Sequence, residues 1–142
     1  GIRDHTVFTG LVDSARIPEM IGAMDLLVHA SLREGLPRAV VQALLGGRPA
    51  VCYAVDGAPE VVIDGVTGRL LPPRSTDQLA EALIELAMNP ERAREMGREA
   101  RRRFADQFRA SRMVRHLEAV YRQLLESRHR AVFAFDSPED AV

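Results

Sequence analysis

Residues 25–53 read DLLVHASLREGLPRAVVQALLGGRPAVCY, and this stretch decides the fold of the chain. It begins with a nearly continuous apolar run at 26–30, which is typical of a strand buried on both faces of a parallel sheet. A turn at 31–37 leads into a helix predicted over 38–45, which a Gly-Gly pair ends. A second apolar run at 49–53 predicts the next strand, so the order of elements indicates a right-handed βαβ unit.

The sequence on either side of this unit continues the alternation of strands and helices. Upstream, a β-prone run at 6–9 precedes one or two helical turns at 18–24. Downstream, a short helix is predicted at 59–63 and a brief strand at 68–71. The alternation predicts the α/β class, here a Rossmann-like open parallel sheet, and such sheets bind ligands beyond the carboxyl ends of their strands.

The second half of the chain is predicted to be helical. Apolar residues recur at spacings of three and four in helices over about 76–88, 90–108 and 111–128. We expect residues 131–142 to form a mobile tail, which leaves 1–130 as one domain that ends in helices.

The composition is that of a globular protein. Of 142 residues, 46% are apolar and 27% charged, the net charge is -1, and no apolar run is long enough to cross a bilayer. Cys52 is the only cysteine and no signal peptide begins the chain, so we expect a cytoplasmic setting. The first residue is not Met, which suggests an excised piece. Because the chain has no Lys, lysine chemistry is excluded and only Arg, backbone N–H groups or a helix N-terminus can hold an anion.

The turn at 31–37 carries the residues that best suit binding chemistry. Gly35 allows a ligand to approach the backbone, and the N–H groups at the start of the following helix suit a phosphate. Glu34 can accept hydrogen bonds from sugar hydroxyls, and the amide of Gln42 can donate to and accept from a ribose. Many α/β folds share this pattern, so by itself it leaves anion binding and a plain structural turn both open.

Residues 25–73 carry an ordered set of motifs around this turn. Asp25 and Ser31 lead to a Glu-Gly pair, a G-x-P run follows at 47–49, and the stretch ends in D-G-x-T-G-x-L-x-P-P at 64–73. This order and spacing resemble the nucleotide-binding core of the family 4 glycosyltransferases. The resemblance extends back to VFTGLV at 7–12 and forward to RMVRHLEAVYRQLL, so it covers nearly the whole chain.

The resemblance implies roles for the residues of the turn. Glu34 holds the position of the first Glu of the family's E-x7-E motif, which contacts the donor sugar, and we expect it to be the catalytic residue. The backbone of Gly35, Leu36 and Pro37 matches the segment that holds the donor diphosphate, although Pro37 has no N–H to donate.

Three more residues are expected at the donor. Gln42 stands where the family has its second Glu, which contacts the ribose, and this departure keeps the acceptor but loses the charge. Val12 falls where the family's backbone pairs with the nucleobase. Arg38 is placed to reach a phosphate, and an ordinary surface Arg is an equal alternative.

The same resemblance implies the fold and mechanism of the whole enzyme. The family has the GT-B fold, in which the C-terminal domain binds the donor, a UDP, GDP or ADP sugar, and the N-terminal domain binds a glycan or lipid-linked acceptor. Its retaining hexosyl transfer needs no metal or cofactor. The family's phosphate-clamping Arg and Lys lie on earlier strands, so we expect this partial domain alone to be inactive. A non-enzymatic remnant that binds nucleotide or a partner is the alternative.

Structural interpretations stand beside these roles. Glu34 also suits a cap or an ion pair with Arg33 or Arg38, and His29 suits a satisfied rim position better than a catalytic one. The arginines at 92–103 alternate with glutamates, which favours a solvated helix face over nucleic-acid binding. Peripheral membrane contact and a homodimer through the sheet edge both stay open.

Overall fold

A computed structural model of the protein describes the backbone of residues 1–135 and the side chains of residues 1–127. The described chain forms two compact units, one from Gly1 to Phe104 and a second that begins at Ala105. The domain boundary expected at 130 stays a prediction. Of the predicted mobile tail, residues 131–135 belong to a helix and the rest lies outside the described residues.

The first unit alternates helices and short strands. Two 3₁₀ turns precede them, at Arg3–His5 and Ser14–Arg16. In chain order the elements are α1 (Ile17–Ala23), β1 (Leu27–His29), α2 (Arg38–Leu45), β2 (Ala50–Tyr53), α3 (Ala58–Val61), β3 (Gly68–Leu71), α4 (Thr76–Met88) and α5 (Pro90–Phe104). The second unit contains α6 (Ala110–Phe135).

The three strands form a parallel sheet in the order β1-β2-β3. Val28 pairs with Val51, and Cys52 pairs with His29 on one side and Leu70 on the other. Helix α2 connects the first two strands and α3 the next two. The predicted α/β class with an open parallel sheet is therefore confirmed.

The strand that is buried on both faces is β2, and not β1 as the sequence pattern predicts. All four residues of β2 are buried, whereas Val28 in the middle of β1 is 42% exposed. The apolar run at 26–30 does reflect a strand, but within the described residues β1 lies at the edge of the sheet and has a neighbouring strand on one side only. Only the pairing order distinguishes the two strands, because their sequences are similarly apolar.

Both faces of β2 are covered by helices. On one face Val51 and Tyr53 pack into a cluster with α4 and α5, whose buried members include Leu86 and Met96. The alternate residue Cys52 points to the opposite face, and burial raises the pKa of its thiol to about 11. The thiol therefore stays protonated at neutral pH, which agrees with a packing role.

Three more sequence predictions about the elements are wrong. The β-prone run at 6–9 forms no strand, and Val7 and Phe8 in it are 87% and 92% exposed, because none of the described strands lies beside it. Helix α5 ends at Phe104 instead of 108, while α6 begins at Ala110 and runs seven residues past the predicted end at 128. The helices at 76–88 and 38–45 have the predicted bounds.

Candidate functional site

Two loops meet at the carboxyl ends of β1 and β2. The N–H of Gly57, in the loop after β2, donates to the carbonyl oxygen of Gly35, in the loop after β1, at 3.0 Å. A Cβ on Gly57 would lie 2.5 Å from that oxygen, so glycine is required for this close approach. The turn at 31–37 is thus braced by the next loop, as expected at this end of a parallel sheet.

Glu34 is held at both its backbone and its side chain. Its N–H donates to Oδ2 of Asp56 at 2.6 Å, and its Oε1 lies 2.9 Å from Nε2 of His29, the last residue of β1. The Glu34 and His29 side chains are 27% and 23% exposed, so the pair is half-buried. The second carboxylate oxygen of Glu34 has no hydrogen-bond partner among the described residues and can accept from a ligand.

The start of α2 presents unpaired backbone donors. Pro37 occupies the N-cap position and is fully buried, and no side chain caps the helix. Within residues 1–135, the first three N–H groups of α2 and those of Gly35 and Leu36 find no acceptor. Such groups, together with the helix dipole, favour an anion.

The partner of the Glu34 carboxylate differs from the arginines considered from the sequence. Oε1 of Glu34 is hydrogen-bonded to Nε2 of His29 instead, and among the described residues no ion pair joins Glu34 to Arg33 or Arg38. Arg38 is exposed and has no ion-pair partner in the described chain. It therefore remains available to an anion at the helix start.

Gln42 lines a cavity close to the segment that follows Val12. Gln42, eight residues after Glu34 in the sequence, is exposed and lines a cavity of about 380 Å³ with Ser14 and residues of α1. Val12 is half-buried, two residues before Ser14. In the described residues no hydrogen bond joins Gln42 to Glu34 or Val12.

Sequence reasoning missed one contact of the site and set another aside. It assigns no role to Asp56, and it weighs His29 as a satisfied rim histidine. His29 is satisfied, but by Glu34 itself. Sheet topology could have indicated both contacts, because side chains that follow neighbouring parallel strands meet at the same edge of the sheet.

The arginine-rich helix α5 pairs its charges along its own surface. Hydrogen bonds from Arg102 and then Arg103 lower the pKa of Glu99 from 4.5 to about 2. Arg92 bonds Glu95 one turn away. These pairs agree with a solvated face, and in the described part of the chain no helix has the length and apolar character needed to cross a membrane.

A parallel sheet with paired loops and an uncapped helix at its carboxyl edge is typical of a Rossmann-like domain. The sequence profile of the family described as Glycosyl transferases group 1 matches residues 1–103. The chain therefore belongs to the group 1 glycosyltransferase family.

Curated relatives of the chain are named transferases and synthases. The chain is 31% identical over 124 residues to the alpha-D-kanosaminyltransferase of Streptomyces kanamyceticus, covering 87% of this chain and 32% of that protein. It is 32% identical, with the same coverage, to the N-acetyl-alpha-D-glucosaminyl L-malate synthase of Bacillus anthracis. The chain thus spans about a third of the length of these relatives.

Solved structures show the same fold. Sucrose-phosphate synthase from Thermosynechococcus elongatus superimposes with a TM-score of 0.82 at 28% identity, over 89% of this chain and 32% of that one. Anabaena HepE in complex with UDP-glucose superimposes with a TM-score of 0.71 at 26% identity, over 75% and 30% of the two chains. Both cover most of this chain, and its fold is accordingly of the GT-B type.

Proposed function

We propose that this chain is the donor-binding part of a retaining, family 4 glycosyltransferase. The enzyme transfers a hexose from a nucleotide sugar to a glycan or lipid-linked acceptor, and this chain binds the nucleotide sugar. An N-terminal GT-B domain, on the same or a partner chain, supplies the acceptor site. Peripheral contact with a membrane would bring that site to a lipid-linked acceptor.

The observation that carries the proposal is the set of unpaired N–H groups around the start of α2. A diphosphate seated there accepts from Gly35, Leu36 and the first residues of the helix, and the exposed Arg38 adds a positive charge. Pro37 contributes no donor. Its buried ring instead fixes where the helix begins.

Glu34 serves the sugar and not the phosphate. A carboxylate repels a diphosphate, but the oxygen that His29 leaves unbound can accept from a sugar hydroxyl. His29 restricts the rotation of the carboxylate, so the contact is oriented before the donor binds. This chain thereby positions the donor sugar, and the donor's own phosphate takes the proton of the acceptor hydroxyl during transfer with retention.

We assign the nucleoside to the cavity that Gln42 lines. Gln42 and the segment after Val12 share a cavity of about 380 Å³, in which the amide can bond a ribose and the backbone at Val12 a base. Neither the diphosphate nor the sugar contact calls for a metal, since backbone N–H groups and arginine neutralise the phosphates. We accordingly expect donor binding to need neither a metal ion nor another cofactor.

A calorimetric titration with nucleotides and nucleotide sugars tests the proposal. UDP comes first, because Anabaena HepE was solved with UDP-glucose, and GDP, ADP and their glucose derivatives follow. We expect one nucleotide to bind in EDTA. Replacing Glu34 by Gln should lower the affinity for the corresponding nucleotide sugar by about tenfold. The affinity for the free nucleotide should not change, because in the proposed complex only the sugar contacts Glu34.

Two outcomes would contradict the proposal. Absence of binding by every nucleotide would remove the donor site itself. If Glu34→Gln lowered the affinity for nucleotide and for nucleotide sugar equally, Glu34 would contact the nucleotide and not the sugar. Circular dichroism of the variant provides the folding control.

A further inference from the structure

Asp56 links the loop after β2 to the residue that the proposed function places at the sugar. Its Oδ2 accepts from the N–H of Glu34 at 2.6 Å, across 22 residues of sequence. A bond of this length to a carboxylate is charge-assisted and stronger than a neutral amide bond. The contact therefore fixes the orientation of the peptide group that enters Glu34.

The backbone of Asp56 is unusual as well. Its φ is 45°, in the left-handed region that glycine, Asn and Asp adopt most readily. Arg74 is the other non-glycine residue of positive φ within the described chain, with a φ of 66°. Asp56 combines a conformation that suits glycine with a side chain that glycine lacks, so its carboxylate has a use that the turn alone does not require.

We infer that Asp56 is a positioning residue for donor binding, which orients the 34–37 loop through the N–H of Glu34. This inference rests on the proposed function. Asp56 engages the Glu34 N–H, so the phosphate-binding set begins at Gly35 and the charged Glu34 side chain is directed toward His29 and the sugar. The carboxylate itself touches the backbone of this chain and is not a donor contact.

A second contact allows this role to be separated from folding. The N–H of Gly57 holds the carbonyl of Gly35 through backbone atoms alone, so the two loops stay joined when the Asp56 side chain is removed. Asp56→Gly suits the positive φ and deletes the acceptor. Asp56→Asn also tolerates that φ and keeps an acceptor oxygen without the charge.

The closing experiment compares these two variants with Arg74→Gly, a matched control that changes the other positive-φ residue in an exposed turn. Affinity for UDP-glucose is measured by calorimetry, and exchange of the Glu34 amide proton by NMR. We expect Asp56→Gly to bind about tenfold more weakly and to exchange faster. Asp56→Asn should restore most of the affinity and protection, and Arg74→Gly should match the parent chain.

The outcomes separate this inference from the function on which it rests. If the parent chain binds the donor and Asp56→Gly binds it equally well with an unchanged Glu34 amide, the positioning role is overturned and the proposed function stands. If Asp56→Asn fails as badly as Asp56→Gly while both stay folded, the bond to the Glu34 N–H does not explain the effect. If the parent chain binds no nucleotide sugar, the proposed function falls, and the positioning role falls with it.

Discussion

At the scale of single residues, the fold does not require glycine at position 35, but the absence of a side chain there leaves room for a ligand. A Cβ on Gly35 would meet no atom within 4 Å, and its φ is not in the left-handed region. The fold therefore accepts a side chain there, unlike at Gly57, where the neighbouring carbonyl forbids one. The open space above Gly35 is the space that the proposed diphosphate occupies.

Replacing Gly35 by Ala should separate binding from stability. We expect the free energy of unfolding to change by less than about 0.5 kcal/mol, since no described atom would contact the new methyl group. Nucleotide affinity should fall by about tenfold, because the methyl group keeps the phosphate from the backbone. Urea unfolding and calorimetry measure the two effects, and unchanged affinity would place the phosphate elsewhere.

At the scale of the elements, α2 and α5 approach each other through two glycines. A Cβ on Gly97 of α5 would overlap the carbonyl oxygen of Gly47, which follows the C-terminus of α2. Gly47 itself has a φ of 74°, which ends α2 in the left-handed conformation that the Gly-Gly pair predicts. The sequence thus predicts the helix end, and only the packed structure shows that α5 rests on it.

Gly97→Ala should therefore destabilise the chain although alanine is the better helix former. We expect a loss of about 1–3 kcal/mol from the backbone shift that the overlap forces. Gly22→Ala is the matched control, because Gly22 lies in α1 and a Cβ there meets nothing within 4 Å. That variant should be neutral or more stable by up to about 1 kcal/mol. The stabilities of the two variants are compared by their midpoints of urea unfolding. Equal stability would contradict the close approach of Gly97 to the carbonyl oxygen of Gly47.

At the scale of the whole molecule, the chain carries the proposed donor-binding edge but spans only about a third of its relatives' length. Strand β1 ends the described sheet, with Val28 half-exposed. An unpaired edge of this kind favours strand pairing with a second copy, so the homodimer stays a prediction that light scattering can check.

The purified chain should bind a nucleotide sugar and yet transfer nothing. The proposed donor site uses the loops after β1 and β2, whereas the proposed acceptor-binding groups belong to another domain. Release of nucleotide from the donor is measured with and without added glycan and lipid-linked acceptors, on a batch whose donor binding has been confirmed. Transfer above the rate of spontaneous hydrolysis would show that this chain holds a complete active site.

Local features of the sequence predicted much of this arrangement. The bounds of α2 and β3 follow from apolar periodicity and from the glycines beside them, and Glu34 follows from its place in a loop between strand and helix. The partners of Glu34 do not follow in this way. Asp56 and His29 reach it only because two parallel strands end side by side, and no local pattern records which strands are neighbours.

The sequence by itself determined the order of strands and helices, the α/β class and the family, because these depend on short-range periodicity, turn residues and ordered motifs. The tertiary structure decided that β2 and not β1 is the central strand, that the run at 6–9 is no strand, and that Asp56 and His29 hold Glu34. The physical reason is the same in each case. Burial, strand pairing and hydrogen bonds between loops depend on neighbours far away in the chain, and folding alone brings those neighbours together.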